Sequence, residues 1–171
     1  MKSRLLSLCL MAMMGVLMVV SKEVLAFLPN VEILTLLIIL FTLVFRKMAI
    51  GALGVFLLLE GLLYGFGSWW IMYLYIWPLL ALLVWLFRRM SKAWQWAIFA
   101  GLYGLAFGAL CSLVYWPIWP FPAILGWIAA GFPFDCSHAV FNFLLCLFLY
   151  RPLRTGLERL QKQIAANQRI Q

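Results

Sequence analysis

The chain has 171 residues, of which 67% are hydrophobic and only 11% are charged. This composition excludes a soluble globular domain, because too few polar side chains remain to cover its surface. The net charge of +8 does not indicate a nucleic-acid partner, since the basic residues form short clusters between apolar runs rather than one solvated face. We therefore expect an integral protein of the lipid bilayer.

Six apolar runs bounded by charged or turn residues predict an all-α membrane bundle of six transmembrane helices. In chain order, the predicted helices lie near residues 5–25, 32–46, 48–64, 69–87, 94–115 and 134–150. The second run is short for a full crossing, and only Arg46 and Lys47 separate it from the third. This spacing predicts a tight hairpin or tilted, irregular spans.

Residues 1–150 are interpreted as the transmembrane domain and residues 151–171 as a basic cytoplasmic tail. Apolar residues recur in the tail at helical spacing and predict an amphipathic helix with a single apolar stripe. The stripe consists of Leu153, Leu157, Leu160 and Ile164. Glu158 lies four residues before Lys162, a spacing typical of a helical ion pair. An interfacial or partner-binding helix and a frayed tail that only fixes topology both remain open.

The distribution of basic residues predicts the orientation of the bundle. Twelve of the 13 Lys and Arg residues fall on one side, and only Lys22 falls on the other. The positive-inside rule therefore places both termini on the cytoplasmic side of the membrane. We expect this membrane to be a bacterial cell membrane. The predicted outer connections, 26–31, 65–68 and 116–133, contain no Lys or Arg and are rich in Gly, Pro and aromatic residues. We expect them to fold against the bundle.

Polar side chains on the predicted last helix form a candidate recognition face. Asp135, His138 and Asn142 follow Pro133 at spacings of three and four, which place them on one side of a helix. They would present a carboxylate, an imidazole and an amide to a cavity open to the outside. Other interpretations stay open. Pro133 looks like a first helical position, so Asp135 would complement the helix dipole, while His138 and Asn142 would each bond a neighbouring helix.

Two further acidic residues lie near the predicted outer surface. Glu60, in the outer part of the third helix, needs a partner inside lipid, for which protonated His138, a tyrosine hydroxyl or a bound solute are candidates. Loss of its charge by protonation is the alternative. Glu32, at the start of the second helix, is interpreted as a solvated or dipole-complementing residue.

Aromatic residues are concentrated at the same predicted outer ends. The candidates for ring contacts are Trp69, Trp70, Tyr73 and Trp119. Interfacial aromatic belts explain such residues by default. Planar rings beside a few polar groups also suit a pocket for a flat heteroaromatic solute.

The sequence contains no signal for chemistry by a cofactor or a metal. It lacks a Walker-type loop, so the chain is not expected to hydrolyse ATP itself. Its four cysteines lack paired ligand spacing, which argues against a zinc site or a disulfide framework. Gly101, Gly104 and Gly108 give the fifth helix a small-residue surface, interpreted as a packing face for another helix, with a sliding contact to a partner subunit as the alternative.

Several stretches resemble the substrate-binding S components of energy-coupling factor transporters. Residues 131–139 (GFPFDCSHA), with 142–143 and 149–153 (LYRPL), resemble the last helix of that family. Residues 27–32 (FLPNVE), 59–67 (LEGLLYGFG) and 77–80 (WPLL) are similar to earlier parts of the same proteins. The likeness runs through most of the chain.

The resemblance implies a six-helix, non-catalytic subunit that captures a vitamin-like molecule from outside. It also implies delivery through a transmembrane coupling subunit driven by two cytoplasmic ATPases. In the family, two alanines four residues apart on the first helix contact the coupling subunit. Here Ala12 is followed by Gly15 and Val16, so the resemblance carries this contact only partly, onto Ala12 and Gly15.

The sequence thus predicts a solute-binding transport subunit without enzymatic activity. The predicted substrate contacts are Asp135, His138, Asn142, Glu60, Trp69, Trp70, Tyr73 and Trp119. Two alternatives stay open. One is an intramembrane hydrolase or transferase using Asp135 and His138 as an acid–base pair, although no nucleophile motif or metal-ligand cluster accompanies them. The other is a non-catalytic membrane assembly protein that binds no ligand.

Overall fold

The computed structural model describes residues 2–28 and 31–170, with side chains described for 4–28 and 31–166. Every regular element in these residues is helical. The helices are α1 (Lys2–Leu25), α2 (Leu34–Phe45), α3 (Lys47–Tyr64), α4 (Ser68–Leu86), α5 (Ala93–Leu105), α6 (Phe107–Ser112), a 3-10 turn (Leu113–Tyr115) and α7 (Phe121–Ile170). Pro29 and Asn30, which belong to one stretch of the family resemblance, lie outside the described residues.

Four helices are long and apolar enough to cross a membrane. They are Arg4–Leu25, Lys47–Tyr64, Ser68–Leu86 and Phe121–Ala166. A fifth span results if α5 and the following segment Phe107–Tyr115, which meet at a bend of 44°, are counted together. The prediction of an all-helical protein is therefore confirmed for the described residues, and four to five helices are long and apolar enough to span a membrane where the sequence predicts six.

Helix α2 accounts for the difference in the number of spans. Its 12 residues extend only about 18 Å at the rise of an α-helix, against a hydrocarbon thickness of about 30 Å. All but one of its side chains are buried, and it contacts α1, α3, α4 and α7. The protein surrounds helix α2, whose side chains are all apolar except those of Thr35 and Thr42. The predicted tight connection to α3 is present, since Arg46 alone separates the helices at φ 51°.

Helix α7 begins earlier than the sequence predicts. The expected loop over 116–133 is wrong from Phe121 onward, and Pro133 lies inside the helix rather than at its start. Proline costs a helix one backbone hydrogen bond without forbidding continuation, and the Ala, Ile, Leu and Trp residues before it are compatible with helix. Asp135 is therefore not in a first turn, so complementing the dipole of its own helix does not explain it.

The segment after residue 150 continues α7 without interruption. Leu153 and Leu157 of the predicted stripe pack against the core, whereas Leu160 remains exposed. Glu158 accepts a hydrogen bond from Arg154 Nε at 2.7 Å, one turn before it, rather than from the predicted Lys162. The first half of the tail is thus a packed helix.

Glycines on α5 and α6 allow α7 to approach closely. A Cβ atom at Gly104 would lie 3.0 Å from backbone atoms of His138 and Ala139. A Cβ atom at Gly108 would lie 2.3 Å from Asp135 Oδ2. The glycine surface predicted from the sequence therefore packs against a helix of the same chain, which confirms its interpretation as a packing face.

Candidate functional site

Acidic side chains collect at one end of the bundle, which we call the Lys22 end. It comprises the ends of α1 and α3, the starts of α2 and α4, and the region around α6. Four of the five acidic residues lie there: Glu23, Glu32, Glu60 and Asp135. The basic clusters lie at the opposite ends of these helices. The Lys22 end is therefore the more negatively charged part of the protein.

His138 and Asn142 belong to one hydrogen-bonded network between α7 and the start of α2. His138 Nε2 lies 3.0 Å from Glu32 Oε1. Thr35 donates its hydroxyl to Glu32 Oε1 at 2.5 Å and its backbone N–H to Glu32 Oε2 at 3.2 Å. Asn142 Nδ2 donates to Thr35 Oγ1 at 3.4 Å. Two of the three predicted recognition side chains thus point inward, Asn142 to Thr35 of α2 and His138 to Glu32, two residues before that helix.

Glu32 has a more specific role than the solvated end that the sequence suggests. Burial alone would raise the pKa of its carboxyl, but the hydrogen bond and charge of His138, together with hydrogen bonds from Thr35, lower that pKa below its usual value of 4.5. The ionised carboxylate therefore ties α7 to α2.

The folded protein is expected to lose stability in acid through Glu32. A carboxyl whose pKa is lowered on folding contributes stability above its usual pKa and loses that contribution as the pH falls through the lower, folded value. The difference in unfolding free energy between the parent and Glu32→Gln should therefore shrink as the pH decreases below 4.5. Detergent-micelle unfolding at a series of pH values measures this, and a constant difference would contradict it.

Asp135 supports the bend between α5 and α6. Its Oδ1 accepts a hydrogen bond from the backbone N–H of Gly108 at 3.0 Å, at the start of α6, where a helix has unpaired donors. The side chain is only 6% exposed. The hydrogen bonds of Asp135 and His138 thus go to different elements, Asp135 to α6 and His138 to Glu32.

Asp135→Asn is expected to keep the fold, because the amide oxygen still accepts from Gly108. Asp135→Leu removes this acceptor and should cost about 1–3 kcal/mol, the usual penalty for a buried N–H without a partner. Unfolding of the two variants in mixed micelles distinguishes them. Equal losses would show that charge, and not hydrogen bonding, is what α6 requires.

Glu60 has the partner that the sequence leaves open, and the partner is Lys22 on α1. Lys22 Nζ contacts Glu60 Oε2 in a salt bridge between α1 and α3, and lies 3.8 Å from Glu23 Oε1. The Glu60 side chain is fully buried, whereas that of Lys22 is 29% exposed. The second carboxylate oxygen, Glu60 Oε1, is buried without a hydrogen-bond partner among the described residues. Such a group is an open acceptor.

A series of aromatic rings runs from this salt bridge toward His138. Lys22 Nζ lies 5.9 Å from the ring centre of Tyr73, which packs edge-on against Trp69 and Trp77, with 5.4 Å between ring centres in each pair. The ring centres of Trp77 and Phe107 lie 5.6 Å apart. Phe107 in turn packs edge-on against the His138 ring at 4.9 Å. The rings therefore connect the Lys22–Glu60 salt bridge with His138 across the bundle. Within this series, Trp77 Nε1 is buried and, like Glu60 Oε1, has no hydrogen-bond partner in the described part of the chain.

The other two predicted ring contacts lie in packing positions. Trp70 donates from Nε1 to the Leu57 carbonyl at 2.8 Å. Trp119 stacks on Tyr115 with 4.1 Å between ring centres. The structure thus connects Tyr73 and Trp69 to the salt bridge of Lys22 and Glu60. Trp70 and Trp119 instead contact Leu57 and Tyr115.

A cavity of about 530 Å³ lies away from this cluster, between α1, α2 and the later part of α7. Its walls are apolar, and Ala12 contributes to them together with Phe41, Phe45 and Leu157. Gly15, the other predicted partner contact, is buried against α3, where an added Cβ atom would lie 2.7 Å from Val55 Cβ. Only Ala12 of the pair faces an open surface.

The predicted site residues do not include Lys22, Thr35 or Trp77, although Trp77 belongs to the aromatic cluster of the fourth predicted helix and to one stretch of the family resemblance. Lys22 carries a signal, because it is the one basic residue separated from all the basic clusters and lies next to an apolar run. Thr35 and Trp77 lay within apolar runs whose neighbours the sequence does not show. Among the described residues, no group of three or more His, Cys, Asp or Glu is placed to hold a metal ion.

The fold and this region define a helical bundle that has four to five helices apolar enough to span a membrane and a buried polar and aromatic cluster at one end. No protein family, curated protein or solved structure matches the chain.

Proposed function

We propose that this protein is the substrate-capture S component of an energy-coupling factor importer in a bacterial cell membrane. It binds a small, flat, vitamin-like heteroaromatic solute at the Lys22 end, from outside, and does not catalyse a reaction. Three buried polar side-chain atoms of the described residues lack a partner, Thr42 Oγ1, Glu60 Oε1 and Trp77 Nε1. The observation that carries the proposal is that two of them, Glu60 Oε1 and Trp77 Nε1, are connected through Tyr73, which packs on Trp77 and lies 5.9 Å from the Lys22 ammonium bound to Glu60. An acceptor and a donor without partners among rings are the features of a recognition site for a planar polar molecule.

Charge distribution supports the proposed orientation. Although α2 is short, it runs between the same two ends of the bundle as the longer helices, so both termini lie at the end opposite Lys22, and the basic clusters there favour the cytoplasm for that end. The Lys22 end then faces outward, which suits solute capture. The network of His138, Glu32, Thr35 and Asn142 forms its rigid wall on the α7 side.

The proposal includes a transmembrane coupling subunit and two cytoplasmic ATPases as partners. Ala12 lies on the open apolar cavity of α1, α2 and α7, whose surface a partner helix can cover. Gly15 is assigned instead to the contact between α1 and α3 inside the chain. The family resemblance, together with the lack of a Walker-type loop in the sequence, supports energy input from partners.

Native purification followed by mass spectrometry tests the proposal directly. We expect a small heteroaromatic molecule, a membrane coupling subunit and two ATPases to be recovered with the tagged parent protein. Glu60→Gln should retain the protein partners and lose most of the small molecule. Recovery of neither solute nor ATPases would overturn the proposal and favour an assembly protein.

A further inference from the structure

The ammonium group of Lys22 occupies a cage for a cation. It contacts the buried Glu60 carboxylate and lies 4.7 Å from the ring centre of Tyr64 and 5.9 Å from that of Tyr73. An anionic oxygen combined with tyrosine rings within about 6 Å is the environment in which proteins bind cationic nitrogen.

Lys22 can leave this cage more easily than Glu60 can. The lysine side chain is 29% exposed, and Glu23, itself 40% exposed, offers a second carboxylate at 3.8 Å. The Glu60 side chain is fully buried, and its Oε1 has no partner among the described residues. Glu60 therefore has unused acceptor capacity that the flexible lysine does not satisfy.

The surrounding charge favours a cationic solute over an anionic one. Glu23, Glu32 and Asp135 lie at the same end as Glu60, and only Lys22 and, when protonated, His138 oppose them. A low-dielectric site with an excess of negative charge attracts cations and repels anions.

We propose that the site binds a flat aromatic cation, a solute whose ring system carries a protonated or quaternary nitrogen. Lys22 acts as a tethered competitor that holds the position of this nitrogen until the solute displaces it toward Glu23. Trp77 Nε1 donates to an acceptor on the same solute. The inference rests on the proposed function for the existence of a solute site, and adds the charge of the solute and the role of Lys22.

Three probes of similar shape and different charge test the inference: 1-methylquinolinium (cation), quinoline (neutral) and quinaldate (anion). Binding is measured by equilibrium dialysis on the full chain in phosphatidylcholine nanodiscs, with empty nanodiscs as the blank. We expect the parent to bind the cation at least about tenfold more tightly than the neutral probe. Quinaldate should not bind measurably.

Substitution of Lys22 gives the decisive measurement. Lys22→Met should tighten binding of 1-methylquinolinium by about tenfold, the gain expected if Lys22 leaves the cage empty about one tenth of the time. Lys22→Gln removes the charge but keeps a donor for Glu60, so it serves if Lys22→Met does not fold. Glu60→Gln should weaken cation binding at least about tenfold. Lys162→Met, which removes an exposed cation from the tail, is the matched control and should not change binding.

Equal or weaker cation binding by both Lys22 variants, preference of the parent for quinaldate, or no binding of any probe would overturn the inference. None of these results affects the recovery of a solute and partner subunits in the native purification. Failure of the inference and failure of the proposed function are therefore distinguishable.

Discussion

Gly104→Leu is expected to destabilise the folded protein by about 3 kcal/mol, near the upper end of the usual cost of overpacking a core. The reason lies in what a side chain at this position would meet. A Cβ atom there would lie 3.0 Å from the carbonyl carbon and oxygen of His138 and from the backbone nitrogen of Ala139. Backbone atoms of a helix cannot rotate away as a side chain can, so α7 must shift as a body.

Under the proposed function, displacement of α7 should also reduce solute binding, since His138 of the proposed wall lies on the displaced segment. Gly54→Leu is the matched control, because Gly54 is an exposed glycine of α3 whose added Cβ atom would have nothing within 4 Å. Both variants gain the same helix propensity, so their difference isolates the contact between α5 and α7. Unfolding by SDS in mixed micelles measures it. Equal stability of the two variants would mean that α5 and α7 are not in close contact.

The sequence predicts the long helices well because apolar runs bounded by charges determine them. Helices α1, α3 and α4 begin and end within a few residues of the predicted positions. The sequence predicts α2 as a span because a run that is apolar on nearly all sides has the same pattern whether lipid or protein surrounds it. Only its burial by four neighbouring helices distinguishes the two environments.

The start of α7 could not be read from local signals. Gly131 and Pro133 are turn residues in most contexts, and they argued for a loop up to the last predicted helix. The structure carries the helix through both positions. This changes the meaning of Asp135, which bonds α6 instead of complementing the first turn of its own helix.

The polar site was predictable in its composition but not in its connections. Helical spacing alone placed Asp135, His138 and Asn142 on one face, and all three are buried. Their partners lie far away along the chain, as Glu32 does for His138. Lys22 and Glu60 are separated by 38 positions, and a single sequence does not report such distances between helices.

Lys22→Met, tested without ligand, is expected to destabilise the protein by about 3 kcal/mol, because it leaves a buried carboxylate without its counter-charge. The double variant Lys22→Met, Glu60→Leu should recover most of this loss, since apolar groups of similar volume replace both members of a buried pair at little cost. Glu60→Leu alone should cost less than Lys22→Met, because the partly exposed Lys22 retains Glu23 as a partner. The three variants and the parent form a double-mutant cycle. An interaction energy near zero in mixed-micelle unfolding would show that the salt bridge does not hold α1 to α3.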